Sequence, residues 1–251
     1  SDLYMFDADL AKTLVDEPDQ MLEYLSEAIR SVAYIENAEY AKSVDKFFPR
    51  IRGLTQTVPL RKLRSEHVGK LIAIEGILVR ATPIRQKVIK AVFKHLLPGC
   101  EQEFTWPPKG EIGEILETPP ICPFCNKATG GFKFIPEKSK FTDWQKIVVQ
   151  EKPEEIPAGQ LPRSIEVILT GDLVDIARPG DRVIVTGIVR IKQERKKTSK
   201  PIFEPYIEAN YVEVHQKVLE EVEITQEDEE KIIKLSKDPW IHKKIIASIA
   251  P

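Results

Sequence analysis

The chain opens on a helical pattern. Leu10, Leu14, Met21, Leu22, Leu25, Ile29 and Val32 recur at spacings of three, four and seven, and no glycine precedes Gly53. That period predicts amphipathic helices over residues 1 to about 48, with Pro18 dividing them into at least two. The acids Asp2, Asp7, Asp9, Asp16, Glu17 and Asp19 read as the solvated face of this bundle.

From "FFPRIRGLTQTVPLRKL" onward the pattern shortens to β-branched runs separated by turn residues. Strands are expected at 71–81, 87–95, 132–151, 163–174, 181–193 and 202–214. Glycines at 69, 76, 180 and 187 bound or interrupt them, as a tightly curved small barrel requires. Residues 220–249 return to a helical texture, with Thr225 and Asp228 as an N-cap pair and "KDPW" as a break. The expected fold is mainly β with α. A small helical bundle (1–55) precedes an OB-type barrel in two parts (56–94 and 132–216), the excursion 95–131 interrupts it, and linker helices (217–251) follow.

Composition narrows the class. Hydrophobic residues at 42% and charged residues at 30% match a soluble globular chain rather than a disordered one. No apolar run nears the roughly 20 residues of a membrane span, and no signal peptide opens the sequence. The first residue is Ser1 and the first methionine Met5, which predicts a segment of a longer protein. Three cysteines cannot make a disulfide framework and point to a reducing compartment. The net charge of −2 conceals segregation: residues 190–200, "RIKQERKKTSK", carry six bases and one acid, and residues 220–230 carry seven acids and no base.

All three cysteines lie in the 95–131 excursion, as H-x4-C-x21-C-x2-C with His95, Cys100, Cys122 and Cys125. A CxxC knuckle aims two sulfurs at one point, and His95 with Cys100 can complete a tetrahedron from a hairpin turning at Pro98–Gly99. Four such donors close the coordination sphere, so the expected ion is a structural Zn²⁺. The plainer alternative is three free thiols and a core histidine. His67, His215 and His242 read as surface or packing residues. A zinc deaminase would need an H-x-E element, and His95 is followed by Leu96 and Leu97. The sequence also lacks GxxxxGK[ST], GxSxG and HExxH, so no hydrolytic machinery is legible in it.

Arg195, Lys196, Lys197 and Lys200 fall at the tip of the hairpin expected over 190–204, where cations suit phosphate contact; a solvated lysine-rich loop is the plainer alternative. Arg80, Arg85 and Lys87 form a second basic group on the barrel. Aromatic stacking positions are less evident, so any nucleic-acid binding is expected to be led by charge.

These stretches converge on a resemblance. "GKLIAIEGILVRATPIR", "KHLLPGC…ICPFC", "FKFIPEKSKFTDWQKIVVQEKPEEIPAGQLPRSIEVILTGDLVDIARPGDRV" and "VTGIV" resemble the N-terminal region of an archaeal MCM (minichromosome maintenance) replicative DNA helicase. The likeness covers nearly the whole chain and is weakest in the first 50 residues; "KDPWIHKKIIASIAP" looks like the segment leading into an AAA+ motor. The resemblance implies a helical bundle, a zinc-binding lobe and an OB barrel in a homo-hexamer or double hexamer around single- or double-stranded DNA. It implies Zn²⁺ on His95, Cys100, Cys122 and Cys125, histidine standing where the usual family site has a fourth cysteine. It gives Lys196 and Lys197, with Arg195 and Lys200, the DNA-contact role of the channel hairpin, and Arg80, Arg85 and Arg163 the inner barrel face. The loop 150–163, with Glu151, Glu154, Glu155 and Gln160, resembles the one that signals to a neighbouring subunit's motor. ATP and Mg²⁺ would belong to that motor, outside this chain, and the implied setting is an archaeal cytoplasm, at the nucleoid, among other replication proteins. Two alternatives from other classes remain: a zinc-stabilised OB module for RNA, as in translation or tRNA handling, which should stay monomeric, and a zinc enzyme, which should turn over substrate alone.

Overall fold

Four helices open the first part of the chain in the computed structural model: α1 (Asp2–Phe6), α2 (Ala8–Asp16), α3 (Pro18–Glu36) and α4 (Ala38–Ser43). Their boundaries have local causes. The Asp7 carboxylate accepts from the backbone N–H groups of Asp9 (2.9 Å) and Leu10 (3.0 Å), capping α2. Pro18 starts α3 with its φ already fixed, and the Asn37 side chain accepts from the Tyr40 N–H at 3.1 Å to start α4. Leu14, Met21, Leu22 and Leu25 pack with Leu71 and Ile188 of the sheet. Ile29 and Val32, expected on the same stripe, are exposed: the shared cluster stops at Leu25.

The structure describes residues 2–54, 56–108, 112, 116–157, 159–193, 203–216, 233–236, 240 and 241. The chain divides into two units, 1–216 and 217–251. In the second, residues 233–236 form a helical turn, and the expected cap at Thr225 and Asp228 lies outside the described residues. Among the described residues no helix is long and apolar enough to cross a membrane.

The first unit carries seven strands: β1 (Leu71–Ala81), β2 (Arg85–His95), β3 (Glu103–Trp106), β4 (Phe132–Gln150), β5 (Ser164–Thr170), β6 (Arg182–Gln193) and β7 (Phe203–Gln216). Their order is β1-β6-β7-β5-β4-β2-β3, and β1 pairs with β4 as well. Strands β1, β6, β7, β5 and β4 therefore close into a ring, antiparallel except for β5 beside β7. Alternate residues fill it, among them Ile74, Leu78, Ile147, Val149, Val167, Val183, Val185 and Ile207. Beyond the ring, β2 pairs with β3 on one side and with the first half of β4 on the other, around a second apolar cluster of Ala91, Phe93, Phe104 and Cys122.

Two elements differ from expectation. Strand β3 is four residues inside the cysteine-bearing excursion, too short for its alternation to stand out. Strand β5 ends at Thr170 rather than 174, because Gly171, at φ +60°, turns the chain into a short 3-10 segment, Gly171–Leu173.

Ring closure needs backbones to approach closely where β1 meets β4. At Gly76 an added Cβ would lie 2.4 Å from the Gln150 carbonyl oxygen and 2.7 Å from a Val149 methyl. Gly76→Ala should therefore lower stability by about 3 kcal/mol, seen as a lower urea midpoint at unchanged slope; an unshifted midpoint would contradict this closure.

Candidate metal centre and nucleic-acid face

Strand β2 ends at His95 with its imidazole wholly buried, and Cys100 follows in a tight turn. The Cys100 N–H donates to the Leu97 carbonyl at 3.0 Å, and Gly99 adopts φ +88°. Cys100 thus sits within the turn itself; the returning arm begins at Gln102, whose carbonyl accepts from the His95 N–H at 3.0 Å. The knuckle is built by the Cys122 carbonyl accepting from the Asn126 N–H (2.9 Å) and the Cys122 N–H donating to the Lys127 carbonyl (3.2 Å), with Asn126 at φ +55°.

These turns bring four ligand atoms within 4.8 Å of one another: one nitrogen of His95 and the sulfurs of Cys100, Cys122 and Cys125. Cys100 and Cys122 sulfurs are 3.8 Å apart, far beyond a disulfide's roughly 2.05 Å, and Cys125 Sγ lies 3.4 Å from His95 Nδ1. A tetrahedral Zn²⁺ with bonds of about 2.3 Å to sulfur and about 2.0 Å to nitrogen would set such edges at about 3.8 and about 3.5 Å. The imidazole is also oriented for ligation. Nε2 stands 2.7 Å from the Thr129 carbonyl, which can only accept, so the proton resides on Nε2 and Nδ1 faces Cys125 with a lone pair. Phe132 stacks on the ring at 4.9 Å and 24°. Burial pushes the Cys122 thiol up, but the backbone N–H groups of Cys125 and Phe124 and the neighbouring thiols outweigh it and bring it down to about 7. At Cys100 a backbone contact at Gln102 acts downward, while burial and the thiols of Cys125 and Cys122 carry the net shift up. Three soft sulfurs and a preset imidazole could hold a metal such as zinc, with no position left open for catalysis.

On the ring's outer face, Glu166 of β5 joins two cations. It accepts from Lys146 of β4 at 2.9 Å and also from Lys192 of β6. Burial pushes its carboxyl up, but hydrogen bonds from Lys192 and Lys146 outweigh this and hold it below the usual carboxylate range. Arg190 of β6 donates through Nη1 to Asp19 of α3 at 2.8 Å and through Nε to Glu208 at 3.0 Å; the Asp19 contact, stronger than the opposing burial, raises it above its ordinary value.

The candidate arginines do not gather at one point. Arg80 pairs opposite Val148 beside a register shift in β1, and Arg85 opposite Trp144 at the start of β2, so the two flank the β1–β2 connection. Arg163 precedes β5, whose first residue, Ser164, pairs with Gln150. All three are exposed, and none makes a side-chain ion pair among the described residues. Arg163 lines an open groove of about 370 Å³ with Leu60, Leu63, Glu166, Lys192 and Glu204. Arg195, Lys196, Lys197 and Lys200 lie outside the described residues; β6 and β7 pair as far as Gln193 with Phe203.

The matched family is the MCM OB domain, over residues 59–193. The minichromosome maintenance protein MCM of Saccharolobus solfataricus is 49% identical over 253 residues, which cover 100% of this chain and 37% of that protein. The DNA replication licensing factor MCM2 of Oryza sativa subsp. japonica is 32% identical over 96% of this chain and 25% of its own length. That of Xenopus laevis is 31% identical over 96% of this chain and 27% of its own. The chain belongs to the MCM family. It spans between 25% and 37% of the length of these MCM relatives.

The loop residues singled out in the MCM chain are all engaged within it. Glu151 is buried and accepts from Arg61 Nε at 2.9 Å, Glu154 pairs with Arg182 at 2.6 Å, and Glu155 pairs with Lys152 at 2.9 Å. Gln160 accepts from Arg61 as well. Sequence reasoning did not find Arg61, Lys146, Lys192 or Thr129. The double glycine after Thr129 was a usable sign of a tight turn beside the knuckle; the others meet partners 20 to 100 residues away and leave no local trace.

Cys122→Ser removes a buried donor from the quartet. After zinc loading and dialysis, metal analysis should fall from about one zinc per chain to near zero; retained stoichiometric zinc would refute the quartet. Acidification below pH 7 should speed zinc loss from the parent chain, because protons compete for the same sulfurs.

Proposed function

We propose that this chain is the DNA-holding and ring-assembly tier of an ATP-dependent replicative helicase, gripping DNA in a central channel during origin unwinding. The observation that carries the reading is the match of residues 59–193 to the MCM OB domain, joined with Arg80, Arg85 and Arg163, which are exposed and without an ion pair among the described residues. The relatives' names, a minichromosome maintenance protein and DNA replication licensing factors, support the replication setting. Family membership favours this reading over an RNA module, and a cluster of four donors with no open position favours a structural over a catalytic metal.

In this reading the grip is electrostatic. Phosphates are met by Arg80, Arg85 and Arg163 on the ring and by Arg195, Lys196, Lys197 and Lys200 in the connection between β6 and β7. Single and double strands are both held, without base readout. Zn²⁺ on His95, Cys100, Cys122 and Cys125 staples a lobe whose own apolar cluster is small. Chains assemble as a hexamer or double hexamer, and Glu151, Glu154, Glu155 and Gln160 frame a loop that signals between subunits. ATP and Mg²⁺ act in a motor beyond this chain, and the parent works in an archaeal cytoplasm, at the nucleoid, with other replication proteins.

Replacing Lys196 and Lys197 together by Ala should weaken binding of a fluorescein-labelled oligothymidylate and flatten its salt slope by about one unit per lost contact. Equal binding at low salt would remove that connection from the grip. Light scattering of the parent chain should give a mass of several chains; a monomer with and without DNA would defeat ring assembly.

A further inference from the structure

The base of the 151–163 loop is fastened from a distant segment. Arg61 belongs to a short 3-10 turn, Leu60–Lys62. Its Nε donates to Glu151 Oε2 at 2.9 Å, Nη1 donates to Gln160 Oε1, and Nη2 donates to the Leu161 carbonyl at 3.2 Å. One guanidinium therefore holds the first residue of the loop and two near its end. Glu151, only 4% exposed, passes the hold onward: the same Oε2 accepts from the Arg163 N–H at 2.9 Å, and the Glu151 N–H donates to the Arg163 carbonyl at 3.0 Å. Arg163 is thus pinned through both backbone groups to a residue that Arg61 pins through its carboxylate.

The Arg163 side chain faces a different task. It is exposed, makes no ion pair among the described residues, and lines the 370 Å³ groove with Lys192 and Glu166. Leu60 and Leu63, on either side of Arg61 in sequence, line the same groove, and Leu60 is anchored in the ring core. Arg61 itself has each of its three nitrogens bonded within the protein, so its guanidinium is held in place.

We propose that Arg61 is a positioning residue for Arg163: through Glu151 it fixes the backbone from which the Arg163 guanidinium meets a DNA phosphate in the groove. This rests on reading Arg163 as a DNA contact. A planar guanidinium suits the role, because its fork addresses three acceptors at once where an ammonium would meet fewer in fixed directions. The buried carboxylate makes the arrangement stiff, since Glu151 without a cation would be an uncompensated charge. An arginine on an already ordered backbone gives up less freedom on meeting phosphate, and that difference appears as affinity.

A double-mutant cycle on this chain tests it, with a fluorescein-labelled oligothymidylate followed by anisotropy across a salt series. Arg163→Ala should weaken binding about 3- to 10-fold, as for one lost charged contact. Arg61→Met should lose a similar factor, and the double variant should lose no more than either single one. Arg61→Met leaves Glu151 unpaired and can fail to fold. Arg61→Met with Glu151→Gln, which buries no lone charge, must then show the same loss, with faster amide exchange at Arg163. If Arg163→Ala is weakened but the folded Arg61 variant binds as the parent does, or if the losses multiply, the positioning role is refuted. If Arg163→Ala binds as the parent does, the groove reading itself fails and the proposal with it.

Discussion

Strand β4 serves two parts of one sheet, the closed ring and the extension through β2 and β3, and the rest of the first unit is arranged around that fact. Its 19 residues pair with β2 over the stretch that begins at Phe132, and with β5 and β1 over the stretch that ends at Gln150. One continuous ladder thereby carries the cysteine-bearing lobe on the ring with no flexible linker between them. The two apolar clusters stay separate, with Phe93 and Phe104 in the lobe and Ile147 and Val149 in the ring, so the strand rather than a shared core joins them. The side-chain quartet sits at the far end of this ladder, where β2 stops at His95 opposite Phe132, and a metal held there could fasten turns that have little apolar surface of their own.

The outer surface of the ring sorts its cations into two kinds. Lys146, Lys192 and Arg190 are held by Glu166, Glu208 and Asp19, so much of their field is spent inside the protein. Arg80, Arg85 and Arg163 are left without such partners among the described residues. A net charge near zero is therefore compatible with local positive points, because acids are placed beside some bases and away from others. The loop acids show the same economy: Glu151, Glu154 and Glu155 each face a cation of this chain.

Much of this was legible in the sequence because it is local. Alternation marked β1, β2, β4, β6 and β7 within a few residues of their ends, and the Cys and His spacing pointed to the four side chains that the fold brings within 4.8 Å of one another. Ring closure was hinted at by Gly76, whose need for bareness is visible only when Gln150 stands against it. What could not be read depends on pairs distant along the chain: Arg61 with Glu151, Arg190 with Asp19, Lys192 with Glu166. No periodicity encodes such pairs, since each is decided by how the sheet wraps. The outward turn of Ile29 and Val32 was missed for a related reason: the stripe is a property of the helix, and the reach of its partner is not.

The imidazole at His95 has an electrostatic consequence for the lobe. A divalent cation among three thiolates and one neutral ring leaves a single net negative charge, whereas a fourth thiolate would leave two. The self-energy of an enclosed charge grows with its square, so the second arrangement would cost about fourfold more to keep away from water. With Phe132 stacked on that ring and the Thr129 carbonyl accepting a hydrogen bond from its Nε2–H, the lobe can lodge an ion beside aromatic side chains while carrying the smaller of the two charges.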